Sequence, residues 1–296
     1  MDSLQNLRRK LEGAKDIKSI VSAMKAMAAS NIGQYETAVI SLEDYYRIVA
    51  LGIVAYSREE KIDSIFEKKE TKQNVEKIIC AIVFGSDQGL VGQFNDSLTD
   101  FVSQSLHAMP GKKEIWAVGE RIQLLLSDAG FKSKELFSVP NSVDAITSLV
   151  GEILIKSQHN LGKENLNEYY IFYNRPKTGA VYEAVAQQFL PLDERWRNTI
   201  DEFEWPTKKI PQIAGGIRPT LLALINEYLF VSLFKACAES LASENSSRLA
   251  AMQRAEKNID ELQDDLSHKF YNLRQSSIDE ELFDVISGFE TMKNKK

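Results

Sequence analysis

The sequence predicts an α/β protein in which a small α/β domain is inserted between two long terminal helices that pair as an antiparallel coiled coil. Three observations carry this. All seven prolines fall between Pro110 and Pro219; proline removes a helix hydrogen bond and clashes with the preceding turn, so its absence leaves both ends free for long helices. Both ends carry apolar residues at steps of three and four, the period of one helix face. The middle alternates short apolar runs with helical patterns, as an α/β domain does.

Taken in order, Leu4, Leu7, Leu11, Ala14, Ile17, Val21, Met24, Ala28, Ile32, Tyr35, Val39, Leu42, Tyr46, Val49, Ile53 and Tyr56 form one stripe. It fits a helix of about 55 residues and roughly 80 Å. Gly13, Gly33 and Gly52 weaken that helix by about 1 kcal/mol each relative to Ala. KIICAIVFG reads as a buried strand, Phe94 to Met109 as a helix, EIWAVGE as a strand, and Arg121 to Ala129 and Val143 to Gln158 as helices. EYYIFYN and AVYEAVAQQFL read as two strands joined by the turn chemistry of RPKTGA. An irregular connector follows. Pro219 suits a first helical turn, and nothing interrupts the last helix until Gly288. Leu222, Ile225, Leu229, Leu233, Leu249, Met252, Ala255, Ile259, Leu262, Leu266, Phe270 and Leu273 mark its stripe. Helices this long cannot bury such stripes alone, so the two pair, and the domain between them makes the pairing antiparallel. The predicted boundaries are 1–61 for the first helix, 75–191 for the α/β domain, 192–218 for the connector and 219–290 for the last helix.

An apolar share of 44% is enough for a real core, and the net charge of -6 comes without a clustered basic face. A nucleic-acid footprint needs such a face, so no nucleic-acid partner is expected. Cys80 and Cys237 sit far apart in apolar runs, which suits reduced core thiols in a cytosolic compartment. His107, His159 and His268 are isolated from one another, without metal-site or triad spacing. The N-terminus lacks a signal segment and no run approaches the roughly 20 apolar residues of a membrane span. The expectation is a cytoplasmic chain with no direct membrane span, reaching a membrane only through a partner.

The stretch IVFGSDQGLVGQFN concentrates glycines after a strand. A phosphate loop needs lysine and a hydroxyl after its last glycine, but Gly85, Gly89 and Gly92 are followed by Gln93, and the dinucleotide fingerprint fails at Asp87. The glycines read instead as a sharp strand-to-helix turn with close backbone approach. Asp264-Asp265 and Glu280-Glu281 are helix neighbours about 100° apart, which suits solvated surface better than general acid and base. SAMKAMAASN and ASENSSRLAAMQRAEKN are rich in Ala and Ser within long helices. They serve either close helix approach or a partner surface, with Lys25 and Arg248 reaching out to a partner's carboxylates.

These segments carry a family resemblance. IVSAMKAMAASN, GSDQGLVGQFN, and ASENSSRLAAMQRAEKN continuing to YNLRQSSIDEELFDVISG resemble the motifs of the gamma subunit of rotary F-type ATP synthases, in the right order and over nearly the full length. The wording VSAMKAMAASNIGQYETAV is also similar to the alternative, sodium-associated branch of that family. Gln88, Gln93, Asn31 and Asp279 depart from the residues family members often carry there.

The resemblance implies a Rossmann-like insert on a central shaft, turning among the alpha and beta subunits of a catalytic ring and contacting an epsilon subunit and the membrane c-ring. It implies no cofactor and no catalysis by this chain, which would lie peripherally on the cytoplasmic side of a bacterial plasma membrane. Carried over by position, Met24, Lys25, Glu244, Arg248, Arg274 and Gln275 meet the ring. On this reading Arg248→Ala impairs coupling with much smaller effects on the fold. A nucleotide-binding α/β enzyme and a static coiled-coil scaffold are the alternatives.

Overall fold

The computed structural model describes residues 3–59, 77–161, 167–177, 182–192, 196, 205, 207, 209 and 216–293. The second half of the turn RPKTGA, residues 178–180, and most of the predicted connector therefore lie outside the described residues, while Arg175 and Pro176 end a strand. The elements are α1 (Leu4–Glu59), β1 (Ile78–Phe84), α2 (Phe94–Ala108), β2 (Lys112–Val118), α3 (Glu120–Asp128), β3 (Ser133–Phe137), α4 (Val143–Leu161), β4 (Asn167–Pro176), β5 (Tyr182–Leu190) and α5 (Ile217–Lys293). They fall into two compact units, one of Met1–Met27 with Leu249–Lys296, the other Ala28–Arg248.

The larger unit is built on a sheet of order β3-β2-β1-β4-β5, parallel except for the antiparallel β4-β5 pair. β1 lies at its centre, and its unbroken apolar run follows from burial on both faces. Ile79, Ala81 and Val83 pack with Leu98, Val102 and Leu106 of α2 and Ile122 and Leu126 of α3. Cys80, Ile82 and Phe84 belong to a second cluster with Ile146, Val150 and Ile153 of α4, Val49 to Val54 of α1 and Tyr228 to Ala242 of α5. Cys80 and Cys237 are both free and buried, and burial pushes both thiols up, which keeps them protonated.

Two glycines permit the crossing of the turns after β1 and β2. A Cβ on Gly85 would lie 2.2 Å from Cβ of Ile122, and one on Gly119, whose φ is +116°, would lie 2.6 Å from the Ser86 carbonyl oxygen. The close approach expected of this glycine stretch is thus real at Gly85, where α3 passes directly over the strand end.

The smaller unit shows a strict seven-residue seam. Leu7, Ala14 and Val21 are buried on α1, and Met252 and Leu266 on α5, with Ile259 and Leu273 half-buried at the same spacing. Lys18 pairs with Asp260 at 2.6 Å and Lys25 pairs with Glu256. Rising numbers on one helix meet falling numbers on the other, so the helices of this unit are antiparallel.

Several expectations are corrected. Ile17 and Leu262 are 54% and 49% exposed rather than in the seam, because a seven-residue repeat puts Lys18 and Gln263 there. Leu222 is 51% exposed. Strand β3 was not expected: its exposed positions are Lys134 and Leu136 and only Phe137 is buried, so no alternation of buried apolar residues marks this short edge strand. The last helix passes through Gly288 to Lys293, since one glycine costs a long helix only about 1 kcal/mol. Among the described residues one helix, within Pro219–Ser287, is long and apolar enough to cross a membrane, against the expectation of no such run. Its apolar window is 56% buried inside the protein, and Leu221, Leu229, Val231, Leu233 and Ala236 are core residues. The hydropathy is that of a helix lying on the core.

Candidate functional site: the carboxyl edge of the sheet and the polar seam

In open α/β sheets a ligand binds where the strand order reverses, outside the strands' carboxyl ends. Here that point lies between β1 and β4, and α5 occupies it. Ser240 Oγ donates to the Phe84 carbonyl at 3.0 Å, Ser243 Oγ to the Asn174 carbonyl at 2.9 Å, and Ser247 Oγ to the Val91 carbonyl at 2.6 Å. Steps of three and four put the three hydroxyls on one helix face. Mid-helix serines usually donate to their own preceding turn, as Ser232 does to the Tyr228 carbonyl; these three donate to strand and loop instead. Asn174 Nδ2 closes the crevice by donating to the Phe94 carbonyl at 3.1 Å. Each of Ser240→Ala and Ser243→Ala is expected to lower stability by about 1 kcal/mol, with a buried carbonyl left unpaired, as urea unfolding of the whole chain would read.

The glycine loop is held by its own side chains. The Ser86 amide donates to Asn95 Oδ1 at 3.0 Å while Asn95 Nδ2 donates to Ser86 Oγ at 2.7 Å. Asp87 accepts from the Glu120 amide at 3.1 Å and the Val139 amide at 3.2 Å, tying the loops after β1, β2 and β3 together. Leu90 takes a left-handed φ of 63° and is 64% exposed. The loop is thus a turn bolted to its neighbours, with the nucleotide crevice filled by a helix.

The predicted site residues are placed as follows. In the larger unit Glu244 and Arg248 come together: Arg248 Nη2 donates to Glu244 Oε1 at 2.6 Å, with side chains 17% and 6% exposed for Arg and Glu. Burial pushes the Glu244 carboxyl up, and the Arg248 charge opposes this. Arg248 is thus engaged within the chain, and Glu244 is buried beneath it. Asn31, one of the departures from the family pattern, donates to Asn245 Oδ1 at 3.5 Å.

In the smaller unit Lys25 and Ser22 both donate to the Glu256 carboxylate. Lys25, followed by Ser22, holds the Glu256 carboxyl below its ordinary range. Asp260 raises the Lys18 ammonium in the same way. Met24 is half-buried, and Arg274 and Gln275 are exposed on α5. Beyond them Ile278, Leu282, Phe283, Val285 and Ile286 are exposed by 47% to 70%.

Sequence reading missed the outward-donating serines, whose only signal was their shared face, and missed Glu256, whose role depends on a partner more than 200 residues away. Among the described residues no group of three or more His, Cys, Asp or Glu side chains could hold a metal ion.

Comparison with known proteins agrees with this geometry. The family model described as ATP synthase matches residues 3–292. The chain is 25% identical to the ATP synthase gamma chain of Bdellovibrio bacteriovorus, covering 99% of this chain and 100% of that one. It is 28% identical to that of Mycoplasma mobile, covering 98% and 99%. The fold matches the rotor of the Euglena gracilis mitochondrial ATP synthase with a TM-score of 0.59 at 18% identity, over 93% of this chain and 98% of that one. It also matches a chain of the Tetrahymena thermophila mitochondrial ATP synthase central stalk and c-ring, with a TM-score of 0.56 at 19% identity, over 80% and 99%. With a family match spanning nearly every residue and relatives aligned end to end, the chain belongs to the ATP synthase family, as a gamma subunit.

Proposed function

We propose that the chain is the central-stalk rotor of a rotary F-type ATP synthase, a subunit that performs no chemistry and couples ion flow through a membrane c-ring to catalysis in a ring of alpha and beta subunits. An epsilon subunit is its further partner, and the complex sits on the cytoplasmic face of a bacterial plasma membrane. The observation that carries this is the family match over residues 3–292. The two terminal helices, 1–61 and 219–290, would form the shaft, and residues 75–191 the domain nearer the membrane rotor, joined to the last helix by 192–218.

The exposed end of α5 supports the same reading. Leu282, Phe283 and Val285 are 57%, 70% and 67% exposed, and a contiguous apolar surface of this kind fits a covering partner. Met24, Lys25, Arg248, Arg274 and Gln275 are the proposed contacts with the ring, with Glu244 acting through Arg248. The partly exposed Lys25–Glu256 pair is of the weak kind that suits a surface that must bind and release at every step. Asymmetric faces on such a shaft would favour a different conformation of each surrounding site in turn.

In the assembled complex, Leu282→Asp with Phe283→Asp is expected to leave the chain folded, weaken its retention by the alpha and beta subunits and lower coupled turnover severalfold. Co-purification read by mass, alongside ion transport per ATP, checks this. Unchanged coupling and retention would count against a ring-facing role for this end.

A further inference from the structure

The larger unit holds a cavity of about 350 Å³ that the rotor reading leaves without a role. Four elements line it: α1, β4, β5 and α5. A volume near the lower limit of ligand pockets, with a few convergent polar groups, is the usual form of a small-molecule site.

Its chemistry is unusual for an idle cleft. Glu239 lines it with a side chain only 9% exposed, and Oε2 accepts no hydrogen bond from the described residues. Two cations approach that carboxylate without closing on it: Arg175 Nε is 3.7 Å from Oε2 and Lys235 Nζ is 3.9 Å from Oε1. Both distances exceed hydrogen-bond length. Arg175 is braced by donation from Nη2 to the Tyr173 hydroxyl at 3.3 Å, and the amide of Gln187 also lines the cavity. Glu183 and Glu43 lie farther out, each 4.0 Å from Arg175 and Lys235 respectively, with side chains 39% and 65% exposed.

A buried carboxylate that shares only long ion pairs with its two cations, and has the Tyr173 hydroxyl as its further hydrogen-bonding neighbour, leaves room for a group that closes on all of them. The occupant must offer a hydrogen to Glu239 and negative oxygens to Arg175 and Lys235 within one compact group. Ionised oxygens would receive charge-assisted bonds from the guanidinium fork and the ammonium. A tetrahedral oxyanion that retains a proton meets both demands, whereas sulfate, which carries no proton at neutral pH, leaves the carboxylate facing a bare anion oxygen. Burial pushes the Glu239 carboxyl up, while Lys235, Arg175 and the Tyr173 hydroxyl pull it back toward the ionised form that accepts a hydrogen.

We propose that the Glu239, Arg175 and Lys235 cavity is a binding site for hydrogen phosphate, free or as a small phosphomonoester, with Glu239 accepting the P–OH hydrogen and the two cations holding the ionised oxygens. The proposal stands apart from the rotor assignment, since it concerns ligand binding by the chain itself.

Calorimetric titration of the purified full-length chain with inorganic phosphate, glycerol phosphate and sulfate, at matched ionic strength, tests it. Phosphate is expected to bind saturably with a one-to-one stoichiometry, and sulfate at least tenfold more weakly. Glu239→Gln, whose amide donates to either anion, is expected to lower the phosphate-to-sulfate preference at least tenfold. Lys235→Met is expected to weaken both anions while keeping the preference, and circular dichroism confirms that each variant is folded. Glycerol phosphate binding as well as phosphate identifies a monoester site, and its exclusion identifies the free anion. Absence of saturable phosphate binding at millimolar concentration, or equal binding of sulfate by the wild-type chain, overturns the proposal.

Discussion

Arg248→Ala is expected to destabilise the chain by about 3 kcal/mol, the scale for stripping the partner from a buried carboxylate. Glu244 is the reason: its side chain is 6% exposed and Arg248 Nη2 is its hydrogen-bonded counter-charge at 2.6 Å. The double variant Glu244→Gln with Arg248→Ala should recover most of that loss, because no charge is then left in the interior. Burial raises the Glu244 carboxyl above its unfolded-chain value, so the protonated form favours folding. Its contribution is whole below the unfolded value and is lost as pH rises through the folded one. Glu244→Gln should therefore gain on the wild type between acid and neutral pH, and urea unfolding across that range reads it. Equal costs for the single and double variants would sink this account. The sequence suggests that Arg248→Ala affects the fold much less than coupling; with this buried pair in place, coupling at Arg248 is measured cleanly only in the double variant against Glu244→Gln alone.

Gly85→Ala should be among the most damaging single changes in the α/β domain, costing about 3 kcal/mol or more, at or beyond the usual range for overpacking. The new Cβ would lie 2.2 Å from Cβ of Ile122, a residue wholly buried on α3. That contact is made by the atom nearest the backbone, so no rotamer change relieves it and α3 itself must move. Trimming the neighbour in a Gly85→Ala, Ile122→Ala double variant should bring no rescue, since the offending atom remains. Gly89→Ala, with nothing within 4 Å of its Cβ position, should change stability by less than about 0.5 kcal/mol, as surface substitutions do. Thermal unfolding of the three variants compares them directly, and a mild Gly85→Ala would mean that α3 is more loosely seated than its packing indicates.

The terminal helices and most of the α/β insert were legible because their signals are local. Proline placement and a stripe at steps of three and four need no knowledge of the fold, and the run IICAIVF announces burial on both faces. Strand β3 was not legible, since SKELF carries its only fully buried residue at its last position and owes its strand state to pairing with β2. The seam was read nearly right but one residue out at Ile17, because a lysine in the contact line looks like surface until its acid on the other helix is known. The serines of ASENSS were visible as small residues, but whether a small residue makes room or makes a bond depends on what lies opposite. For Ser240, Ser243 and Ser247 that is a carbonyl of β1, of β4 and of the intervening loop, far away in sequence.

The polar positions in the seam have a consequence for assembly. Lys18, Lys25, Glu256 and Gln263 replace apolar side chains in the contact line of the smaller unit, at some cost in cohesion. Sliding one helix past the other by a heptad would break one of the two pairs in either direction: Lys18 would meet Glu256 with Asp260 left opposite Leu11, or Lys25 would meet Asp260 with Glu256 left opposite Ile32. An all-leucine line would tolerate that slip. This one makes misalignment self-penalising, so the chain can find a single length of axle before any other subunit is present to measure it.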